Sequence, residues 1–300
     1  MKDRIKEIEE LIGDTPLVRL DLGPQKNTLL AKFEGYNLTG SVKDRMALYM
    51  IKEAEKNGLL KKGTTIIEAT TGNTGIALAA LSAIYGYKFI ATMPEDVSKE
   101  RKQMMERYGA KVILTPKSKG PAGAIEKREE LAKETPNSWI PDQFSNPNNV
   151  LAHEKGIAQE IMVQAGDKID YFVHGVGTGG TLIGVAKELK QKYPNITIVA
   201  VEPKESAIMS GDKPGPHGIQ GIGEGFIPDL VEKEYIDQVE KVSTEEAVLE
   251  AKLMASEHGL LVGISSGANI AAIKHLSKNT EGKIFVTVLA DRGERYLSVF

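Results

Sequence analysis

The chain has 300 residues, 41% hydrophobic and 26% charged, ordinary values for a folded chain with a sizeable core in one or two domains. Lysine and arginine number 38 against 41 acidic residues, so the formal charge of −3 lacks the basic footprint that nucleic acid or an anionic membrane needs. Cysteine is absent, which excludes disulfides, thiolate metal sites, iron–sulfur clusters and a cysteine nucleophile.

The first residues, MKDRIKEIEELIG, mix charge with aliphatics and form no secretory signal. The longest strongly apolar stretch, 76–85, is ten residues and too short to span a bilayer. A cytoplasmic location is expected. In chain order, strands are expected at 28–33, 64–68, 88–93, 111–115, 169–174, 196–202, 236–242 and 283–289. Most are continuous apolar runs, as in parallel strands buried on both faces. Helical patterns fall at 42–57, 74–85, 98–108, 121–134, 149–165, 181–191, 244–258 and 267–278. Gly58, Gly86, Gly109 and Gly259 stop four of them, and Ser243 with Glu246 reads as a capping box. The class is α/β with parallel sheet. The stretch 136–147 is the best crossover between lobes, and 206–228, rich in Gly and Pro without a period, is a long loop of the functional kind.

Four clusters carry chemistry. Asn37–Arg45 places Lys43 at a helix start, where the dipole disfavours a cation and lowers the amine's pKa, as Schiff-base chemistry requires. Glu68–Gly75 runs from a strand into a helix with three threonine hydroxyls and Asn73, more than one cap needs, and suits a carboxylate. Gly175–Thr181 satisfies G-x-G-x-x-G after a strand, and Thr178 and Thr181 turn that helix start into a cup for a phosphate. A nicotinamide reading, with Glu202 on the ribose, leaves Lys43 and Thr70–Gly75 unexplained. Gly263–Gly267 matches the G-x-S-x-G elbow, but no histidine follows Asp291, so a hydrolase triad is not expected. The five histidines show no ligand pair, and no metal is expected. His258 suits a helix-end cation and Trp139 suits packing. An amine with two anion cups is what an aldehyde phosphate cofactor and an amino-acid substrate require.

In this order the clusters resemble the cysteine synthase family of fold-type II pyridoxal-phosphate enzymes, which includes O-acetylserine sulfhydrylase and the catalytic core of cystathionine β-synthase. The resemblance runs from Ile12–Leu20 through the Lys43 segment, Thr70–Gly75, Gln143–Pro147, Gly175–Thr181, Gly215–Gly223 and Gly263–Ala268 to Gly293–Leu297. It implies a smaller, mobile lobe at 36–143 and a larger lobe, 1–35 with 144–300, that binds the phosphate of pyridoxal 5′-phosphate. It implies that Lys43 holds the cofactor as an internal aldimine, that Gly177, Thr178, Gly179, Gly180 and Thr181 bind its phosphate, and that Asn73 and Ser265 meet its phenolic oxygen and pyridine nitrogen. Thr70, Thr71, Gly72, Thr74, Gln143 and Gly223 match the substrate site.

The reaction so implied is β-replacement on an activated L-serine through an aminoacrylate, giving cysteine or a cysteine thioether. The same chemistry on L-cysteine, releasing hydrogen sulfide, is the alternative; a catalytically silent partner-binding protein is the non-enzyme one. A homodimer is the assembly implied; serine acetyltransferase is a candidate partner whose docking the sequence leaves open. Leu38, Thr71, His174 and Glu224 depart from the usual pattern: proline, serine, a small residue and alanine are common there. Glu224, in the loop that should face the substrate, is read as a catalytic residue beside Lys43, either an added general base or a group that steers an amine-bearing second substrate; the alternative is that it points to solvent.

Overall fold

The computed structural model describes residues 2–21, 26–70 and 72–299. Its elements begin with α1 (Lys2–Glu9), β1 (Leu17–Asp21), β2 (Thr28–Phe33) and α2 (Lys43–Lys56). They continue with β3 (Thr65–Ala69), α3 (Asn73–Tyr85), β4 (Lys88–Pro94), α4 (Lys99–Arg107), β5 (Lys111–Thr115), α5 (Gly120–Glu134) and β6 (Ser138–Trp139). Next come α6 (Pro147–Lys155), α7 (Ile157–Gln164), β7 (Tyr171–Gly175), α8 (Gly180–Lys192) and β8 (Thr197–Pro203). The chain ends with β9 (Gln238–Val242), α9 (Thr244–His258), α10 (Ile264–Ser277) and β10 (Ile284–Leu289).

Continuous apolar strands need cover on both faces, and two sheets provide the layers. One has the order β1-β2-β10-β7-β8-β9, the other β5-β4-β3-β6. Pairings are parallel throughout, apart from β1, which lies antiparallel on β2 with Leu17 opposite Lys32. On one face of the larger sheet, α7 and α8 set Ile161, Leu182 and Leu189 against Phe172, Ile198 and Val286. On the other, α9 and α10 set Met254, Ile270 and Ile273 against Val173, Val201 and Phe285. In the smaller sheet, Ile76, Ala77 and Leu81 of α3 pack on Ile66, Phe89 and Ala91. The α/β class with parallel sheets flanked by helices is what the apolar runs required.

The helical pattern at 149–165 is two helices, because Gly156 takes φ −111° and ψ −95° and breaks the ladder. Gly156 stands where an added Cβ would lie 2.8 Å from the Ala152 carbonyl and 3.4 Å from the Arg45 guanidinium. The helix expected at 267–278 starts earlier, at Ile264, so Ser265 lies inside its first turn. Ser243 and Glu246 do form a capping box on α9.

A buried ionic network ties α2 to the larger sheet. Arg45 bonds Glu34 at 2.6 Å and Glu160 at 2.5 Å, and Lys32 meets Glu160 at 2.6 Å. Lys32 and Glu34 are fully buried. Removing one partner of such a set leaves an uncompensated buried charge, at a cost of about 3–5 kcal/mol. Arg45→Met is therefore expected to lower the urea midpoint by that equivalent. An unchanged midpoint would show that the network contributes nothing to stability.

Candidate active site

In open α/β sheets ligands bind beyond the carboxyl ends of the strands, where helix starts converge. Here the ends of β3, β7 and β10 deliver Thr70, Gly175 and Ala290 to a single cavity, with Val42 and Lys43 closing one wall. Hydrogen bonds hold the Lys43 segment to the residues that follow β10. Val42 N–H donates to the Ala290 carbonyl at 2.8 Å, and Arg295 donates to the Thr39 carbonyl at 2.7 Å. Lys43 is the first residue of α2, as its position in the pattern suggested.

The segment Gly177–Thr181 wraps the N-terminus of α8, whose first amides have no intrahelical acceptor. Thr178 Oγ1 accepts from Asn149 Nδ2 at 3.0 Å, and Thr181 Oγ1 meets His153 Nε2 at 3.2 Å. Gly177 passes so close to the next loop that an added Cβ would lie 2.4 Å from the Gly221 carbonyl. Gly180 sits behind the cavity wall, its α-carbon packed against the Asn149 amide. Asn149 also donates to the Gln143 carbonyl at 2.8 Å, which links this cup to the opposite wall.

That wall is built on β3 and α3. Thr70 Oγ1 accepts the Gly72 and Gly75 N–H groups, both at 3.1 Å, so its own proton is left to donate. Thr74 donates to Gln143 Oε1 at 2.6 Å, while Gln143 Nε2 donates to the Ala69 carbonyl at 2.9 Å. Below them buried Glu68 accepts from Gln143 N–H and Arg128, and desolvation pushes its carboxyl up to about 7. Asn73 donates to Asp291 Oδ2 at 2.6 Å and accepts from Arg295 at 2.5 Å. Its second Nδ2 hydrogen remains for a ligand. Ser265 faces the same cavity from α10.

Desolvation dominates the electrostatics. It lowers the pKa of Lys43, with the carboxylates of Glu224 and Asp291 opposing that shift. The same cause raises Glu224, with the charges of Lys43 and Arg101 opposing. Burial thus favours the neutral amine and weakens the carboxyl as an acid, the directions in which a base and a proton acceptor are tuned. Glu224, half-buried, lines the cavity with Lys43.

Of the residues singled out in the sequence, Lys43, Thr70, Gly72, Asn73, Thr74, Gln143, Gly177, Thr178, Gly179, Thr181, Glu224 and Ser265 line this cavity. Gly223 lines an adjoining chamber of about 530 Å³ that shares Arg101, Gly221, Ile222 and Glu224 with it. Thr71 lies outside the described residues. Glu202 is spent on the Met209 and Ser210 N–H groups and so offers nothing to a ribose. His275 pairs with Glu246 at 3.1 Å, away from Ser265, and no nucleophile triad forms. Among the described residues no group of three or more His, Asp or Glu could hold a metal ion.

The sequence reading missed Asp291 and Asn269, and gave Arg101 no role. Asp291 is fully buried and bonds Asn73 and the Tyr296 hydroxyl, each at 2.6 Å. Its position directly after an apolar strand, followed by Arg292 and Gly293, was the available signal.

The donor set fits pyridoxal phosphate: a desolvated amine for the aldehyde, a helix N-terminus with two hydroxyls for the phosphate, and Asn73 and Ser265 for the ring's polar atoms. The crowding at Gly177 shows a backbone drawn in as a cradle, with no room for a side chain. The pattern of the pyridoxal-phosphate dependent enzymes matches residues 8–291, and the chain belongs to that family. Cysteine synthases are among its relatives there. The cysteine synthase of Staphylococcus aureus is 48% identical over 98% of this chain and 96% of its own. The crystal structure of cysteine synthase from Entamoeba histolytica superposes with TM-score 0.93 at 44% identity, covering 97% of this chain and 89% of that one. A hydrogen sulfide-producing enzyme from Fusobacterium nucleatum superposes with TM-score 0.94 at 42% identity, covering 97% and 99%. The protein is a pyridoxal 5′-phosphate-dependent enzyme of the cysteine synthase kind. No helix among its described residues is long and apolar enough to cross a membrane.

Proposed function

We propose that the protein carries out β-replacement on O-acetyl-L-serine, exchanging acetate for sulfide or a thiol to give L-cysteine or a cysteine thioether. The observation that carries this reading is the meeting of the desolvated Lys43 amine, an anion cup and the Glu224 carboxyl in one cavity. When bound, the cofactor supplies an electron sink for charge developing at the substrate α-carbon. Lys43 Nζ takes the α-proton and later returns it. Thr70, Thr71, Gly72, Thr74 and Gln143 hold the substrate carboxylate, and their own bonds to Gly75, Ala69 and Glu68 keep the described members of that set rigid. Gly177–Thr181 anchors the phosphate, Asn73 and Ser265 orient the ring, and Gly223 belongs to the substrate site. Ser265, being neutral, does not keep a proton on the ring nitrogen, which favours elimination and replacement over transamination.

Glu224 acts on the second substrate. Desolvation makes its carboxylate a stronger base than a solvated one, suited to removing a proton from an incoming thiol. Glu224→Gln is expected to slow addition of the second substrate by about 10²-fold while leaving acetate release unchanged. Stopped-flow spectra of the two half-reactions separate these steps, and equal rates in Glu224→Gln and the parent would remove Glu224 from the mechanism. The same base activating water or a second thiol suits the degradative alternative, sulfide release from L-cysteine, which the likeness to the Fusobacterium enzyme also supports. Parallel assays of cysteine formation from O-acetylserine and of sulfide release from cysteine decide between them by kcat/KM.

The lobe 36–143 is read as the mobile one, closing on substrate. A homodimer in the cytoplasm is the assembly and location that go with this reading, and serine acetyltransferase is its candidate partner. Sedimentation of the chain alone and with that enzyme tests both associations.

A further inference from the structure

One side chain in the cavity wall has no part in the chemistry above. His174 ends the apolar run of β7 just before Gly175 and lines the cavity together with Val42, Lys43 and Ala290. Asn269 on α10 fixes its tautomer. The Asn269 amide is oriented by the backbone: Oδ1 accepts from Gly175 N–H at 2.8 Å, and Nδ2 donates to the Val288 carbonyl at 3.0 Å. The second Nδ2 hydrogen then meets His174 Nδ1 at 3.1 Å, so that ring nitrogen accepts. The ring proton must therefore be on Nε2. That atom is not among the sealed, unpartnered polar atoms of the interior, and the open space beside the ring is the cavity.

The ring is also held in place and kept uncharged. Phe172 stacks on it with centroids 6.1 Å apart and planes 23° from parallel. Burial, reinforced by the nearby Lys43 charge, pushes the imidazole pKa down to about 3. Asn269 follows Ser265 by four residues on α10, so the two share a helix face. The imidazole is thus a fixed, neutral donor on the side of the cavity that Ser265 occupies.

We propose that His174 is a further cofactor-binding residue, donating from Nε2–H to an oxygen acceptor of pyridoxal phosphate, the ring nitrogen being left to Ser265. A histidine that only packed would need no imposed tautomer and no opening towards the cavity. This assignment adds a residue to the cofactor site and does not depend on which amino acid is the substrate.

The test compares His174→Leu, which removes the donor, with His174→Gln, which keeps a neutral N–H. Apo protein is reconstituted with pyridoxal phosphate and followed by visible absorbance and cofactor emission. His174→Leu is expected to raise the cofactor Kd about tenfold, the loss of roughly one hydrogen bond, and to shift the emission maximum. His174→Gln is expected to stay within about threefold of the parent. An unchanged Kd and emission in His174→Leu, or equal weakening in both variants, overturns the assignment. A measurement on the unaltered protein guards against misfolded variants. The ¹⁵N–¹H resonance of His174 Nε2 is expected to move downfield when cofactor is added to apo protein. No movement would equally overturn the proposal.

Discussion

Lys43→Ala is expected to lower turnover by about 10⁴-fold or more and to leave pyridoxal phosphate bound only noncovalently. The magnitude follows from the two tasks given to one amine, holding the aldehyde and moving the α-proton, of which no neighbour can take over the first. Asp291 is fully buried and already bonded to Asn73 and Tyr296, and His174 is held neutral with its acceptor nitrogen occupied. Glu224 is the remaining titratable base in the cavity, and as a carboxyl it cannot form the bond to the aldehyde. The fold is not expected to suffer. Lys43 is desolvated at a cost, as its lowered pKa records, so removing the amine leaves apo protein at least as stable as the parent. Mass spectrometry after borohydride reduction reads the covalent link. A reduced adduct surviving in Lys43→Ala would move the cofactor to another lysine.

The second large effect is expected from Gly177→Ala. A Cβ there would lie 2.4 Å from the Gly221 carbonyl oxygen, a backbone atom that cannot rotate out of the way. One of two segments must move: the cup around the N-terminus of α8 or the loop that carries Ile222, Gly223 and Glu224. Gly223 N–H donates to the Val176 carbonyl at 3.0 Å, so the two segments are tied and both should shift. A displacement near 1 Å in such a site costs about 10²-fold. The cofactor Kd is therefore expected to rise by about that factor, with the second half-reaction slowed as well. Titration of apo protein with pyridoxal phosphate measures the first effect, and a parental Kd would show that the contact between the loops is dispensable.

How much of this was legible in the sequence differs by element. Strands buried on both faces announced themselves as unbroken apolar runs, and 28–33 and 111–115 fall where the pattern put them. β1 did not. Its residues, Leu-Val-Arg-Leu-Asp, alternate on an edge strand whose partner is chosen by tertiary pairing with β2. α1 is short and half-exposed, with Ile5 and Ile8 as its apolar stripe, too little for a periodic signal. The glycine clusters and Lys43 were readable because phosphate and aldehyde chemistry need particular backbones and an amine. Their meeting place was not, since cavity residues come from segments as far apart as Asn73 and Asp291, joined by a 2.6 Å bond. Nor could composition show that Glu224 points inward. Glycines on both sides permit either direction, and only the packing of its loop against the ends of β7 and β8 decides.

The measurement that tests the central claim most directly is the visible spectrum of the purified protein, alone and then with O-acetylserine or L-cysteine. A visible band of the lysine-linked cofactor is predicted, replaced in Lys43→Ala by the absorbance of the free aldehyde, with a shift in the parent on adding O-acetylserine that sulfide reverses as cysteine forms. A shift produced by L-cysteine alone, with sulfide released, would contradict the synthetic reading and establish the degradative one. No visible band, even after pyridoxal phosphate is added, would contradict the account of the site itself.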